Sequence, residues 1–198
     1  MKPTVLLLST LAIFFLCGCD SCDIVRVAQG KLHFSDGKTT DIPHWNEEGW
    51  THFFFVRHAN KAILDPAPPD PPGPPLSEEG MARAERLGEI MRNAGLDVVY
   101  TTNFTRTRTT AEKVQAHYSN IPMPINYEFS DAWIANQLVV NRGKRIFIVG
   151  HSNTVPRMVN KLMGPSSTLP DLDDKNYSAF FVVASRGLGD SEYLWRSF

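Results

Sequence analysis

Two histidines and two arginines stand where reactive side chains are expected, at the ends of apolar runs that are typical of buried strands. Arg57 and His58 close the run "THFFFVRH", and His151 follows "RIFIVG". Arg106 lies where a third run, "DVVYTT", gives way to a helical pattern. Because the carboxyl ends of parallel strands share one edge of a sheet, the sequence predicts that these side chains converge. Two guanidinium groups and two imidazoles make a cationic pocket of the kind that a phosphoryl group fills.

Ser152, directly after His151, raises a different chemistry, because "GHSNT" nearly matches the G-x-S-x-G turn that carries the nucleophile of esterases. In that fold a carboxylate and then a histidine follow the serine along the chain. None of the six histidines follows Ser152; they are His33, His44, His52, His58, His117 and His151. Thr154 also stands where the esterase motif has its last glycine. An esterase with the usual triad order is therefore excluded, which leaves only a permuted triad.

The elements that would hold these residues alternate between strands and helices over most of the chain. Ser77 is a typical N-cap before a helix that ends near Gly95, and "TRTRTTAEKVQAHY" predicts a second helix. "INYEF" indicates a short third strand, and "YSAFFVVAS" and "SEYLWRSF" indicate two last strands joined around residues 187–189. This order predicts an α/β fold, a three-layer αβα sandwich with a mostly parallel central sheet and an antiparallel C-terminal edge.

Two segments outside that alternation have signatures of their own. Ile24–Val27 and Leu32–Phe34 predict a hairpin around Gly30. The segment from Pro66 to Pro75 contains seven prolines, which predicts a stiff, extended loop and not a helix or an inner strand. Because this loop follows the strand that carries His58, we expect it to form a rim or lid beside the pocket. A docking motif for a proline-recognising partner is the alternative.

Four stretches of the chain resemble the motifs of one known family. They are "FVRHANK", "PPLSEEGMARAERL", "TTNFTRTRTTAEKV" and "FIVGHSNTVP", which stand in the family's order and at plausible spacing. From about residue 52 to 198 the sequence is similar to the histidine phosphatase superfamily, whose fold is phosphoglycerate-mutase-like. The resemblance implies that His58 is a nucleophile that forms a phosphohistidine. It also implies that Arg57, Arg106 and His151 clamp the phosphoryl oxygens.

The implied chemistry suits these residue types. A neutral imidazole nitrogen is a competent nucleophile near neutral pH, and covalent capture divides one hard displacement into two easier ones. Fixed guanidinium donors stabilise the charge on the phosphoryl oxygens. Within the family pattern Arg106 is the expected clamp and Arg108 is not, because the motif ends in Thr-Ala, here Thr110–Ala111. The reaction needs no metal or cofactor, and the sequence offers no convincing metal-binding cluster.

Three residues near the two histidines are expected to make further contacts with substrate. Asn153 and Thr154 lie at the start of the helix after His151, from which they can donate to phosphate; simple helix capping is the alternative. Asn60 stands where the family often has glutamate, and Ala59 where it usually has glycine. The loss of a carboxylate at Asn60 is expected to alter how the leaving group, or the neighbouring lysine, is held.

The group that gives a proton to the leaving oxygen is less clearly marked. Glu128 and Asp131 lie at and just past the end of "INYEF", where some family members keep an acid, and Asp131 is the preferred candidate. A plain helix N-cap is an equally good interpretation of Asp131. An activated phosphoester or a phosphohistidine would need little acid help, because its leaving group departs readily.

The N-terminus has the signature of an exported lipoprotein. Lys2 precedes an apolar run from Val5 to Leu16, which is too short for a comfortable membrane span and has the length of a secretion signal. The run ends in "LCGC", which resembles the bacterial lipobox, so that Cys19 would become the lipidated N-terminus. An ordinary signal peptide or an uncleaved anchor is the alternative. Asp20 resembles the signal that keeps such proteins in the inner membrane of enteric bacteria.

These features predict three parts in the chain. They are a lipoprotein signal peptide at 1–18, a lipidated tether and N-terminal extension at 19–50, and a histidine phosphatase domain at 51–198. Cleavage and lipidation leave Cys22 as a single thiol, which cannot form an intrachain disulfide. The protein is expected in the bacterial cell envelope, anchored by lipid on Cys19 and facing outside the cytoplasm. In a Gram-negative organism this is the periplasmic face of the inner membrane.

The sequence thus predicts a membrane-tethered, extracytoplasmic phosphatase that hydrolyses phosphoesters or phosphoramidates through a phosphohistidine on His58. The expected partners are a phosphorylated small molecule or an envelope component, and the membrane itself; with a net charge of -1, nothing indicates nucleic acid. Phosphoglycerate mutase activity is disfavoured, because the further basic residues and long insertions of those enzymes are missing. The other alternative is a catalytically silent module that binds phosphate on the same fold.

Overall fold

A six-stranded sheet runs through the middle of the protein in the computed structural model, which describes residues 22–198. The strands are β1 (Ile24–Ala28), β2 (Lys31–Phe34), β3 (Thr39–Asp41), β4 (Thr51–Arg57), β5 (Val98–Thr101), β6 (Ile125–Asn126), β7 (Arg145–Gly150), β8 (Ala179–Gly187) and β9 (Asp190–Ser197). The helices are α1 (Glu78–Met91), α2 (Thr105–Gln115), α3 (Asp131–Val140) and α4 (Thr154–Met163). From β4 to β8, strands and helices alternate as the sequence predicts.

The central sheet has the strand order β6-β5-β7-β4-β8-β9. The first four of these strands run parallel, whereas β8 pairs antiparallel with β4, and β9 pairs antiparallel with β8. The predicted fold class, with a mostly parallel sheet and an antiparallel C-terminal edge, is therefore confirmed. The stretch "INYEF" contributes less than expected, since only Ile125–Asn126 pair with β5.

Strand β4 shows why helices cover both faces of the sheet, since all seven of its residues are buried. Phe54 packs into one core with α1 and α2, through side chains such as Leu87 and Val114. Phe53 packs into a second core with α3 and α4, through side chains such as Ile134. Because successive side chains of a strand point to opposite faces, the apolar run within β4 contributes to the core on each side of the sheet.

The register between β4 and β7 brings the two candidate histidines together. Arg57 pairs with Gly150 at the carboxyl ends of these strands, and the N–H of His58 donates to the carbonyl of Gly150 over 3.0 Å. His58 and His151 are therefore the first residues beyond two neighbouring parallel strands. A Cβ at Gly150 would lie 2.8 Å from the hydroxyl of Thr154, so the close approach of α4 to this strand end requires glycine.

The described part of the N-terminal extension is packed onto the domain and is not a loose tether. Strands β1, β2 and β3 form a separate antiparallel sheet, and the hairpin predicted around Gly30 is present. Ile24 and Leu32 are fully buried in the core that also contains Phe54. The structure therefore continues one packed unit across the predicted division at residue 50.

The predicted signal peptide at 1–18, Cys19 and Asp20 lie outside the described residues. Within residues 22–198, no helix has the length and apolar character needed to cross a membrane. Cys22 is partly buried against the core that α1 and α2 share. Export and lipidation therefore stay predictions.

The proline-rich segment forms an irregular loop between β4 and α1. The sequence predicts that this loop is extended, but part of it folds into a turn. The N–H of Gly73 donates to the carbonyl of Pro69 over 2.8 Å, which closes a turn. Gly73 has a φ of +66°, a left-handed conformation that glycine adopts at little cost. A Cβ at this position would also clash with the carboxylate of Asp70. The turn, and the place of that carboxylate within it, therefore depend on glycine.

Candidate active site

The hydrogen bonds of His58 determine which ring nitrogen carries the proton. Nδ1 lies 2.8 Å from the carbonyl oxygen of Ala59, which can only accept, so Nδ1 is protonated. Nε2 accepts from the Nε–H of Arg106 over 3.2 Å, and because a guanidinium can only donate, Nε2 offers its lone pair. Both contacts indicate the same tautomer. The lone pair of His58 therefore faces the guanidinium of Arg106.

The surroundings keep both histidines of the site neutral. Burial is the largest cause that lowers the pKa of His58; the hydrogen bond with Ala59 opposes it, the charges of Arg106 and Arg57 add to it, and the net pKa is about 3. Burial, followed by the charge of Arg106, lowers the pKa of His151 to about 4. The centres of the two imidazole rings lie 5.5 Å apart. At neutral pH the site thus presents two uncharged imidazoles beside two permanent cations.

Arg57 is held by the loop that precedes β8. Its Nη1 donates to the carbonyl oxygens of Asp173 and Asp174, over 3.0 Å each, and its guanidinium lies 4.2 Å from the ring centre of Tyr177. The buried Nε of Arg57 has no hydrogen-bond partner among the residues that the structure describes. The ring of Tyr177 also lies 5.9 Å from that of His58. This loop therefore forms one wall of the site.

Arg106, in the first turn of α2, connects His58 with the proline-rich loop. Its Nη1 and Nη2 donate to the two carboxylate oxygens of Asp70, over 3.1 and 3.4 Å. The guanidinium also lies 4.6 Å from the ring centre of Phe104. Arg106 is buried, whereas the side chain of Asp70 is half exposed. Asp70 was not predicted as a site residue, because a contact between an irregular loop and the start of a helix leaves no periodic signal in the sequence.

Two threonines fix the ring of His151. Its Nε2 lies 2.9 Å from the hydroxyl of Thr102, which lies 2.9 Å from the hydroxyl of Thr107. The Thr107 hydroxyl in turn reaches the backbone carbonyl of Phe104 over 2.9 Å. Thr102 was not among the predicted site residues. Its place directly after an apolar strand, like that of His58, is the signal that could have identified it.

The three residues predicted to bind substrate differ in the hydrogen bonds that their side chains make. Thr154 Oγ1 accepts from the backbone N–H of His151 over 2.9 Å, and because His151 precedes α4 this contact does not cap the helix. Asn60 Oδ1 accepts from Nε of Arg83 on α1, over 2.7 Å. Asn153 is the N-cap residue of α4; its side chain is exposed and makes no capping hydrogen bond. Contact of these side chains with a substrate stays a prediction.

Asp131, the predicted proton donor, has its charged partner outside this cluster. Its carboxylate lies 3.3 Å from Nζ of Lys161 on α4, and 59% of its side chain is exposed. The interpretation of Asp131 as a helix N-cap is wrong: Ser130 is the N-cap of α3, and its hydroxyl accepts from the N–H of Trp133 over 3.0 Å. Asp131 is instead the first residue of the helix, where its charge is favourable.

The paired strand ends, with two histidines and two buried arginines, define a class of αβα domain, and comparisons with known proteins show which family it is similar to. Residues 53–134 match the model of the histidine phosphatase superfamily (branch 1). The four motif segments of the sequence and the αβα fold agree with that match. Residues 53–134 are thus similar to the histidine phosphatase superfamily, in agreement with the resemblance that the sequence motifs carry. No curated protein matches the chain.

Several solved structures have the same fold. The protein histidine phosphatase SixA, complexed with tungstate, is 20% identical over 74% of this chain and 96% of its own, with a TM-score of 0.60. A mycobacterial glucosyl-3-phosphoglycerate phosphatase is 10% identical over 75% of this chain and 98% of its own, with a TM-score of 0.55. Phosphoglycerate mutase from Bacillus anthracis is 13% identical over 77% of this chain and 94% of its own, with a TM-score of 0.52. At these identities the likeness establishes the fold alone.

Proposed function

We propose that the protein is a phosphatase that hydrolyses phosphate monoesters or phosphoramidates, with Nε2 of His58 as the nucleophile. The observation that carries this proposal is the tautomer of His58, in which Nδ1 is held by the carbonyl of Ala59 and Nε2 bears the lone pair. With its pKa lowered to about 3, His58 keeps that lone pair at neutral pH. A buried, neutral and oriented imidazole is the form in which histidine attacks phosphorus.

In the first step, the lone pair of Nε2 forms a bond to phosphorus while the bond from phosphorus to the leaving oxygen or nitrogen breaks. The leaving atom keeps the bonding electrons and takes up a proton from solvent water. Positive charge develops on the ring of His58, and the Ala59 carbonyl stabilises it by accepting from Nδ1–H. Arg57 and Arg106 donate to the phosphoryl oxygens, on which negative charge is concentrated. The Nε–H of Arg57 is a suitable donor because no described residue accepts from it.

In the second step, water attacks the phosphorus of the phosphohistidine. The bond between phosphorus and nitrogen breaks, and its electrons return to Nε2 of His58. The water gives up a proton as its oxygen bonds to phosphorus, and this proton balances the one that the leaving group took up. His151, held beside His58 by Thr102, is proposed to contact the phosphoryl oxygens in both steps. Both steps use only water and side chains of this chain, so we propose that the activity needs no metal.

The experiment that tests this function measures turnover of an aryl phosphate by the full chain in the presence of a chelator. His58→Ala is compared with His33→Ala, which removes a histidine of β2 whose contact is with Arg26. Turnover that survives chelation, is lost in His58→Ala and is kept in His33→Ala supports the proposal. A wild-type protein that binds inorganic phosphate without turnover between pH 4 and 8 would be the silent binding module.

We also propose that the domain is anchored to a membrane by lipid on Cys19 and acts outside the cytoplasm, on a phosphorylated small molecule or an envelope component. Lys2, the apolar run from Val5 to Leu16 and the "LCGC" motif support this. Production of the full chain in a bacterium tests it. We expect the chain in the membrane fraction with a lipid-modified Cys19, and Cys19→Ser without that modification. An unprocessed chain in the cytosol would contradict the proposal.

A further inference from the structure

The carboxylate of Asp70 occupies the part of the site that a phosphoryl group needs. Its two oxygens accept from Nη1 and Nη2 of Arg106, while Nε of the same arginine donates to His58. A guanidinium binds carboxylates and phosphates in this same bidentate geometry. Asp70 therefore presents to Arg106 the charge and the spacing of two phosphoryl oxygens.

A phosphoryl group at His58 and the Asp70 carboxylate cannot share this guanidinium favourably. Two like charges at contact distance repel one another, most of all where solvent screens them poorly. Arg106 is only 7% exposed, so this repulsion would act in a largely desolvated place. The proposed reaction therefore requires Asp70 to leave Arg106 when the phosphoryl group arrives.

The loop that carries Asp70 is suited to such a displacement. Its base is closed by the pairing of Lys61 with Leu76, and the carbonyl of Pro72 accepts from the N–H of Thr105 over 2.8 Å. Residues 63–68, by contrast, form no hydrogen bond with any described residue. Segments with few contacts open at the lowest free-energy cost. The half-exposed Asp70 side chain can thus rotate away from Arg106 while its turn stays anchored beside the site.

We propose, on the basis of the phosphatase function proposed above, that Asp70 determines substrate specificity. The Asp70 carboxylate releases Arg106 when the phosphoryl group binds, and it then lies beside the leaving group at the mouth of the site. There its carboxylate favours a leaving group that carries an ammonium and disfavours one that carries a carboxylate. In the loop before β8, Oδ1 of the exposed Asp174 lies 3.7 Å from Nη2 of Arg57 and adds negative charge. The substrate class that follows is a phosphate ester or phosphoramidate of a cationic molecule.

The test compares the full-length wild-type protein with Asp70→Asn, which keeps the shape of the side chain and removes its charge. Asp65→Asn is the matched control. Asp65 is exposed in the same loop and does not contact Arg106, and its substitution removes the same charge. Calorimetry measures the dissociation constant of inorganic phosphate. Steady-state kinetics give kcat/KM for three esters of similar size: 2-aminoethyl phosphate, 2-hydroxyethyl phosphate and carboxymethyl phosphate.

We expect Asp70→Asn to bind inorganic phosphate about tenfold more tightly than the wild type, because the competing carboxylate is gone. We expect the wild type to prefer aminoethyl phosphate over carboxymethyl phosphate, and Asp70→Asn to lose roughly three- to tenfold of that preference. Asp65→Asn should retain both wild-type values.

Weaker phosphate binding by Asp70→Asn would overturn the proposal, since Asp70 would then position Arg106 for the phosphoryl group and not compete with that group. An unchanged preference among the three esters would overturn it as well. A wild-type protein that turns over none of them would contradict the proposed phosphatase function instead. In that case the phosphate affinities would still decide whether Asp70 competes for Arg106.

Discussion

Two histidines lie near opposite ends of strand β4, in opposite electrostatic surroundings. His44 precedes the strand: its ring stacks on Trp50 at 3.5 Å, with Nδ1 2.9 Å from Glu47 and Nε2 3.0 Å from Glu192. His58 follows the strand, and its charged neighbours are arginines. Burial acts to lower the pKa of both. The two carboxylates outweigh burial and raise the pKa of His44, whereas the pKa of His58 falls to about 3.

This difference teaches that burial and neighbouring charges together decide what each histidine can do: burial dominates at His58, whereas two carboxylates outweigh it at His44. His44 is held between carboxylates and joins the segment before β4 to the edge strand β9, through Glu192. His58 is kept neutral beside guanidinium groups, and the Nε2 lone pair that now accepts from Arg106 is the one proposed to attack phosphorus. Because the two residues share no partner, substitutions at one end of β4 should leave the other end nearly unaffected.

The largest expected effect comes from removing each histidine separately. His58→Ala should lower the turnover of an aryl phosphate by at least about 10³-fold, because it removes the nucleophile. His44→Ala should keep turnover and lower the urea midpoint of unfolding, since a stacked ring and its ion pairs are lost. Kinetics and urea unfolding of both variants measure this contrast. Similar losses of turnover in the two variants would mean that the ends of β4 are not functionally distinct.

Acid should destabilise the protein through His58. Because its folded pKa of about 3 lies below the ordinary value of 6.5, the unfolded chain binds a proton that the folded protein excludes between these values. Stability is therefore full above pH 6.5 and falls as the pH drops toward 3, by on the order of 3 kcal/mol at pH 4. Urea unfolding of the wild type and of His58→Gln at pH 7 and pH 4 measures this loss of unfolding free energy. The variant should lose less stability on acidification; an equal loss would contradict this account.

Arg106→Lys keeps the positive charge but removes the planar guanidinium group, which contacts His58 and is proposed to bind the phosphoryl oxygens. We expect kcat/KM to fall by about 10²-fold, because a lysine cannot replace bidentate donation. Arg108→Lys is the control on the same helix, since Arg108 donates to Asn103 at the surface, over 2.7 Å. It should behave as the wild type. A larger loss in Arg108→Lys would show that the motif assigns the clamp to the wrong arginine.

The smallest expected effect is a pH dependence at His44, opposite in sign to that of His58. Its raised pKa means that its contribution to stability is complete below pH 6.5 and is lost as the pH rises through the folded pKa. Glu47 and Glu192 are each 61% exposed, so the contribution should not exceed about 1 kcal/mol. Urea unfolding of the wild type and His44→Gln between pH 5 and 8 isolates this contribution as a difference in stability, and that difference should shrink as the pH rises. A difference that grows with pH would contradict the assignment.

The parts of the molecule that the sequence predicted are those with a regular pattern. Strand β4 was predictable because the unbroken apolar run from Phe53 to Val56 is typical of a strand that is buried on both faces. Its end marked Arg57 and His58 as candidates, and the end of β7 marked His151. Asp70 and Tyr177 reach the site from irregular loops, whose paths depend on tertiary contacts and leave no periodic trace. Asp131 was preferred as an acid from its place along the chain, whereas the structure pairs it with a surface lysine.

The central claim, a covalent phosphohistidine at Nε2 of His58, is tested most directly by trapping the intermediate. The protein is mixed with an excess of aryl phosphate, quenched in base during turnover, digested and examined by mass spectrometry. We predict one added phosphoryl group on the peptide that contains His58, stable in base and labile in acid. A phosphoryl group on any other residue, or steady turnover with every peptide unmodified, would contradict the account.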